Sequence, residues 1–277
     1  VGGSSPQPCT LYGVYKMIEE IKKALSPFVC IQDVENEASV LRYDYVKTNN
    51  EGAWDSLKCV GDYEDKKPEE WPQLGVTVDK KELLSSDFKL IKSVNKVIDE
   101  TIKKIVEVSM DSPSNESLTI EDLNNCNTTI KGDNDKLRMT ISSNIIWVAD
   151  RIAVFTRRGC GNFIIIPSKL SYFVLKNLHD FKEEKVEDTN LHIKKLGMLY
   201  NIVVYEYTGD QLDNVIVGYK QRYSSSQPKV NAVDGGLVLT MINKDDELKY
   251  AISDIGDKTN RYYLQIKYPK EFFNILT

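Results

Sequence analysis

Between Asp87 and Met110, apolar residues recur at Phe88, Ile91, Val94, Ile98, Ile102 and Ile105. Leu90, Val97 and Val106 widen the stripe, and Lys and Glu fill the other side. This spacing predicts an amphipathic helix of about 24 residues, about 36 Å long at 1.5 Å per residue. Ser86 or Asp87 caps it, and Ser112-Pro113-Ser114-Asn115 ends it. A rod with one wholly apolar side has to lie across a flat surface, which the rest of the chain must supply.

The flanking segments read as follows. Residues 1–8 (VGGSSPQP) read as an extended arm or a disordered one, and Leu11, Val14, Ile18, Ile21 and Leu25 mark a short helix closed by Pro27. Residues 39–49 and 74–78 alternate β-formers around a charged, proline-bearing stretch, GDYEDKKPEEWPQ. Two strands around such an excursion read as a projecting β-hairpin, although an ordinary surface loop would have the same composition. Residues 111–135 are polar and Asn-rich, with a short turn at 119–123. Ile146, Ala149, Ala153 and Val154 set a second helical stripe over 143–157, followed by the loop 157–162 and a strand at 163–166. Pro167 and Ser168 start a further helix with Leu170, Phe173, Val174 and Leu178 inward. The remainder is β-rich, with strands at 202–207, 214–219, 236–242 and 262–268 separated by turn signals. The class is α+β.

Composition narrows the function. The chain has 277 residues, one elaborated domain or two, with 36 Lys plus Arg against 41 Asp plus Glu, a net charge of −5. No basic excess exists to grip phosphate backbones or an anionic membrane surface. The apolar run Phe163-Ile164-Ile165-Ile166 is far short of the roughly 20 residues that span a bilayer. Five scattered cysteines, Cys9, Cys30, Cys59, Cys126 and Cys160, never form a C-x-x-C pair, which is the pattern of free thiols. No signal peptide is visible, and the sequons at Asn115 and Asn127 have no other support for secretion. Only His179 and His192 are available for triad or metal chemistry, and His192 has no evident partner in the sequence.

No catalytic constellation emerges. Gly159-x-Gly161 lies after a helix and before a strand, the reverse of a phosphate loop, so a turn requiring positive φ is expected there. Arg157 and Arg158 either complement the helix's negative end or pair with carboxylates of a neighbouring chain. The acidic groups Glu69-Glu70, Glu183-Glu184 and Asp245-Asp246-Glu247 read as solvated faces. Fifteen tyrosines, among them Tyr43, Tyr45, Tyr205, Tyr207, Tyr219, Tyr223, Tyr262 and Tyr263, fit either strand preference or an assembly interface. No catalytic residue, metal ligand or cofactor site is expected.

Residues 153–168 (AVFTRRGCGNFIIIPS) resemble the helix–T-R-R-G-x-G-N-F-I-I–strand element of the major capsid proteins of T4-like tailed bacteriophages. Residues 196–207 (LGMLYNIVVYEY) are similar to that family's G-x-x-x-x-x-K-V-Y-x-D segment, and 213–220 (DNVIVGYK) to its D-x-x-x-V-G-Y-K-G strand. Asp234-Gly235-Gly236-Leu237 stands where D-A-G-L would, and Trp71-Pro72-Gln73-Leu74-Gly75 resembles F-P-E-M-G. Cys160 replaces the family's alanine, the chain is shorter than T4-type subunits, and little sequence separates Val78 from the long helix.

The resemblance implies an HK97-like capsid fold of α+β class. Its expected parts are an N-terminal arm with short helix (1–36), an E-loop hairpin (37–85), and a P-domain spine helix with the following loop (86–135). An A-domain with its leading helix (136–245) and returning P-domain strands (246–277) complete it. It implies a structural, non-enzymatic subunit that self-assembles into hexamers and/or pentamers of an icosahedral head enclosing double-stranded DNA. Assembly would take place in the bacterial cytoplasm, with vertex, decoration and portal proteins as further partners, DNA nearby only non-specifically, and no membrane. Interface candidates are Trp54, Tyr63 and Trp71 on the hairpin, Lys66, Lys67, Glu69 and Glu70 as intersubunit ion pairs, and Arg157 and Arg158. The alternatives are a nucleotide-binding α+β enzyme with its site near 157–162, and a vertex protein of the same family.

Overall fold

In the computed structural model, the described residues are 8–34, 75–79, 87–111, 134–176, 178–185, 190–220, 236–244, 247–254 and 262–268. The helices are α1 (Pro8–Leu25), α2 (Asp87–Val108), α3 (Asn134–Thr156) and α4 (Ser168–Lys176). The strands are β1 (Cys30–Val34), β2 (Gly75–Asp79), β3 (Met110–Asp111), β4 (Phe163–Pro167), β5 (Phe181–Glu183), β6 (Ile193–Leu199), β7 (Ile202–Tyr207), β8 (Val215–Gly218), β9 (Leu237–Lys244), β10 (Glu247–Asp254) and β11 (Tyr263–Ile266). The chain is thus α+β, and it divides into two units. Val1–Ser93 with Tyr223–Lys258 makes one, and Val94–Arg222 with Thr259–Thr277 the other.

The first unit carries a four-stranded sheet in the order β1-β9-β10-β2. β9 and β10 form an antiparallel hairpin, β1 lies parallel to β9, and β2 antiparallel to β10. In α1, Met17, Ile18, Ile21, Ala24 and Leu25 are buried at helical spacing. The helix stops at the Ser26-Pro27 turn, where the Ser26 and Val29 amides bond the carbonyls of Lys22 and Leu25 at 3.0 and 3.1 Å. The strand expected over 39–49 lies outside the described residues.

The second unit is built on a seven-stranded sheet, β3-β11-β8-β4-β7-β6-β5. Its central strand β4 pairs parallel with β7 and antiparallel with β8. All five β4 residues are buried, as expected of a strand covered on both faces. On one face Ile164, Ile166, Val204, Val215, Val217, Leu264 and Ile266 join the apolar sides of α3 and α4 in one core. Side chains alternate along a strand, so Tyr207 and Gln265 point the other way, towards α2. There Tyr207 donates to Asp99, and the Gln265 side-chain amide donates to the Val106 carbonyl and the Ser109 hydroxyl. The 22 residues of α2 give about 33 Å of helix, with Val94, Val97, Ile98, Ile102 and Ile105 all buried.

The second helical stripe is displaced from the expected one. α3 buries Ile141, Ile145, Val148, Ala149 and Ile152, whereas Val154 is 63% exposed. Ile145-Ile146 and Ile152-Ala153 are adjacent apolar pairs, and with Ile141 buried one turn earlier, Ile145 and Ile152 are the inward members. Strands β1, β3, β5, β6 and β10 were not expected from periodicity. β6 (IKKLGML) carries two lysines and a register slip between Lys195 and Gly197, which together erase its alternation. Tyr207 and Tyr263 are 0% and 1% exposed, so these two serve the chain's own interior and not an assembly interface. No helix among the described residues is long and apolar enough to cross a membrane.

Candidate functional site

The loop 157–162 begins as a helix cap. The Arg157 amide donates to the Ala153 carbonyl at 2.8 Å with Arg157 at φ 56, the left-handed cap geometry usually filled by glycine. Thr156 fixes the cap, its hydroxyl donating to the Ile152 carbonyl at 2.7 Å and accepting from the Arg158 amide at 3.2 Å. The expectation of positive φ at Gly159 or Gly161 is therefore corrected: Arg157 carries it. The glycines are needed for space. A Cβ on Gly159 would lie 2.8 Å from the Tyr219 ring, and one on Gly161 2.9 Å from Val217 and 3.1 Å from the Ala149 backbone.

Asn162 then ties the loop to the neighbouring strand. Its side chain donates to the Lys220 carbonyl at 2.6 Å and accepts from the Lys220 amide at 3.0 Å, so it acts as an extra rung beyond β8. Cys160 is exposed, and hydrogen bonding to Asp150, with burial second, pushes its thiol up. A raised thiol is protonated and poorly nucleophilic. This loop follows a helix C-terminus, whose dipole repels phosphate, and Tyr219 packs against Gly159. The amides of Arg157, Arg158, Gly161 and Asn162 are all bonded within the chain, so the loop packs as a cap.

At the opposite end of the sheet is a polar cluster that sequence reasoning missed. His192 is not partnerless: its Nδ1 lies 2.8 Å from Asp99 Oδ1, which also accepts the Tyr207 hydroxyl at 2.8 Å. Asn95 accepts from the His192 amide at 2.9 Å and donates to the Asn190 carbonyl at 3.0 Å. These bonds join α2 to residues about a hundred positions away, and no local spacing signals them. Burial first, then the Asp99 bond, pushes the Tyr207 hydroxyl well above the usual tyrosine range, and burial does the same to Tyr268.

Of the interface candidates only Arg157 and Arg158 fall on described residues. Both are exposed at the end of α3. Trp54, Tyr63, Lys66, Lys67, Glu69, Glu70 and Trp71 lie outside the described residues.

A family model, Major capsid protein Gp23, matches residues 92–238. The chain belongs to this family. The match runs from α2 through the start of β9, taking in the cap loop and the central strands β4 to β8. No curated protein matches the chain. Membership in the Gp23 family makes this a structural capsid protein of a bacteriophage, one that associates with itself in the virion shell. Within such a shell subunit the Asp99–His192–Tyr207 cluster holds a long helix against its sheet, and the cap loop holds α3 against β4 and β8.

Two expected results follow from this geometry. Arg157→Gly should raise unfolding stability by about 1 kcal/mol, because a left-handed side-chain residue costs about 1–2 kcal/mol and glycine recovers most of that. Urea unfolding checks it. In alkali, Tyr207 and Tyr268 stay neutral in the folded chain above about pH 10, where the unfolded chain ionises. The unfolded state then binds fewer protons, so their contribution, complete below about pH 10, is lost progressively as pH rises further. Stability against pH between 9 and 12 should fall less steeply in Tyr207→Phe than in the unsubstituted chain.

Proposed function

We propose that the chain is the major shell subunit of a tailed-phage head, with an HK97-like fold, assembling into hexamers and/or pentamers around double-stranded DNA. The observation that carries this is the family match over 92–238, which covers the 94–222 part of the seven-stranded unit and most of its long helix. In this reading α2 is the spine helix, residues 37–85 form an E-loop lying across a neighbouring subunit, and the N-terminal arm clasps another. Lys66, Lys67, Glu69 and Glu70 form intersubunit ion pairs, and Trp54, Tyr63 and Trp71 supply apolar anchors. Arg157 and Arg158 face a neighbour at the start of the A-domain. Vertex, decoration and portal proteins dock on the assembled shell. The net charge of −5 gives a wall that tolerates packed DNA without gripping it.

The capsid function needs no catalysis, only heterologous contacts that close into rings. Deleting residues 60–70 from the full chain is expected to abolish closed shells in negative-stain images while leaving the thermal unfolding of the seven-stranded unit in place. Unchanged shells from the deleted chain would overturn the E-loop assignment.

A further inference from the structure

α2 and α3 each bury one side, and their outward sides differ. On α2 the outward side carries Lys92, Lys96, Lys103 and Glu107, all exposed, which is the composition of a solvated face. Between Ser143 and Thr156, α3 carries only two charges, Asp150 and Arg151, and apolar residues run all round it. Ile141, Ile145, Val148, Ala149 and Ile152 account for the core side. A second stripe stands away from the core. Trp147, Arg151 and Val154 are spaced i, i+4 and i+7 and therefore share one side of the helix. Val154 is 63% exposed, and Trp147 and Arg151 are half-buried. The Arg151 guanidinium lies over the Trp147 ring, 4.5 Å from its centroid, so each side chain holds the other in place. Just past the helix end, Arg157 and Arg158 are both exposed.

These residue types are scarce in the chain. It has 29 Lys and only 7 Arg, and three of the seven, Arg151, Arg157 and Arg158, fall within eight positions. Trp147 is one of three tryptophans. Lysine serves a solvated face, as on α2. Trp and Arg are the residues that dominate binding energy at the centre of an interface, since the indole buries a large area and the planar guanidinium both stacks and takes carboxylates through paired bonds.

We propose that the outward side of α3, Trp147, Arg151 and Val154 with the cap arginines beyond it, is a docking surface for a second copy of this chain. Membership in a family that associates with itself in a shell favours that occupant. So does charge. Three arginines against Asp150 make this segment basic, whereas the whole chain carries −5, so the rest of a second copy is more acidic still. Turned against its own image about a two-fold axis, the stripe would bring arginine onto arginine. It therefore meets a different surface of the next copy, the heterologous kind of contact that closes into rings. The proposal rests on the shell reading above and adds one side of one contact to it.

Sedimentation velocity and hydroxyl-radical footprinting of the full chain over a concentration series test the surface. Arg151→Glu is expected to raise the concentration for half-association at least about tenfold, and Val154→Ser at least about threefold. Both should leave the thermal unfolding midpoint unmoved, because neither side chain belongs to the core. In the unsubstituted chain, oxidation of Trp147 and Val154 should fall at least about threefold between the dissociated and the associated state, as water is excluded from the contact. If the unsubstituted chain associates while these two residues stay as reactive as in the monomer, or if both variants associate as it does, the docking surface is overturned and the shell reading stands. An unsubstituted chain that stays monomeric at every concentration overturns the shell reading and the docking surface with it.

Discussion

Gly218→Ala is expected to destabilise the chain by about 3 kcal/mol, the upper end of the usual cost of overpacking. Gly218 on β8 stands directly opposite Phe163 on β4 and Tyr263 on β11. An added Cβ would run into Phe163 Cζ and lie 2.6 Å from Cε2 and 2.8 Å from Cε1. The ring cannot swing away, because Phe163 is 1% exposed and already meets the Tyr263 ring at 6.2 Å between centroids. Denaturant unfolding measures the loss. Phe163→Leu in the same chain should recover part of it, a coupling between contacting residues that independent sites would not show. A Gly218→Ala variant within about 0.5 kcal/mol of the unsubstituted chain would contradict this packing.

The second large effect is expected at Asp99. Its carboxylate serves two partners, the Tyr207 hydroxyl and the His192 ring, each at 2.8 Å. Asp99→Ala leaves the hydroxyl of a fully buried tyrosine without its acceptor, a penalty of about 1–3 kcal/mol, and removes one of the bonds that tie α2 to the start of β6. Tyr207→Phe removes donor and need together and should cost only about 1 kcal/mol. The order of the two losses is the checkable point. If Tyr207→Phe proved the more damaging, the hydroxyl would be contributing something other than this bond.

Where burial is one-sided or complete, the sequence carried the fold well. The long stripe of α2, the apolar run FIIIP and the alternation of IVVYEY each announce their element because one physical requirement governs every position. In α3 the adjacent apolar pairs Ile145-Ile146 and Ile152-Ala153 leave two faces open in the sequence; Ile145 and Ile152 are the buried members, and only Ala149 of the expected stripe is in the core. The cap loop was located correctly, yet its strain was assigned to glycines. The residue with left-handed backbone is Arg157, while Gly159 and Gly161 answer to Tyr219, Val217 and Ala149. Those contacts bridge up to some sixty positions, and Asp99–His192 spans 93. Non-local pairing of this kind leaves no periodic trace, so the polar cluster was illegible in advance. The cap loop and β8, two of the segments that carry the family resemblance, are bound to each other through Asn162 and Lys220 and lie within the matched residues.

Negative-stain electron microscopy of the purified full chain across a concentration series tests the central claim most directly. Rings, tubes or closed shells that become more frequent with concentration are the expected result. A uniform field of monomers or dimers at every concentration would contradict it.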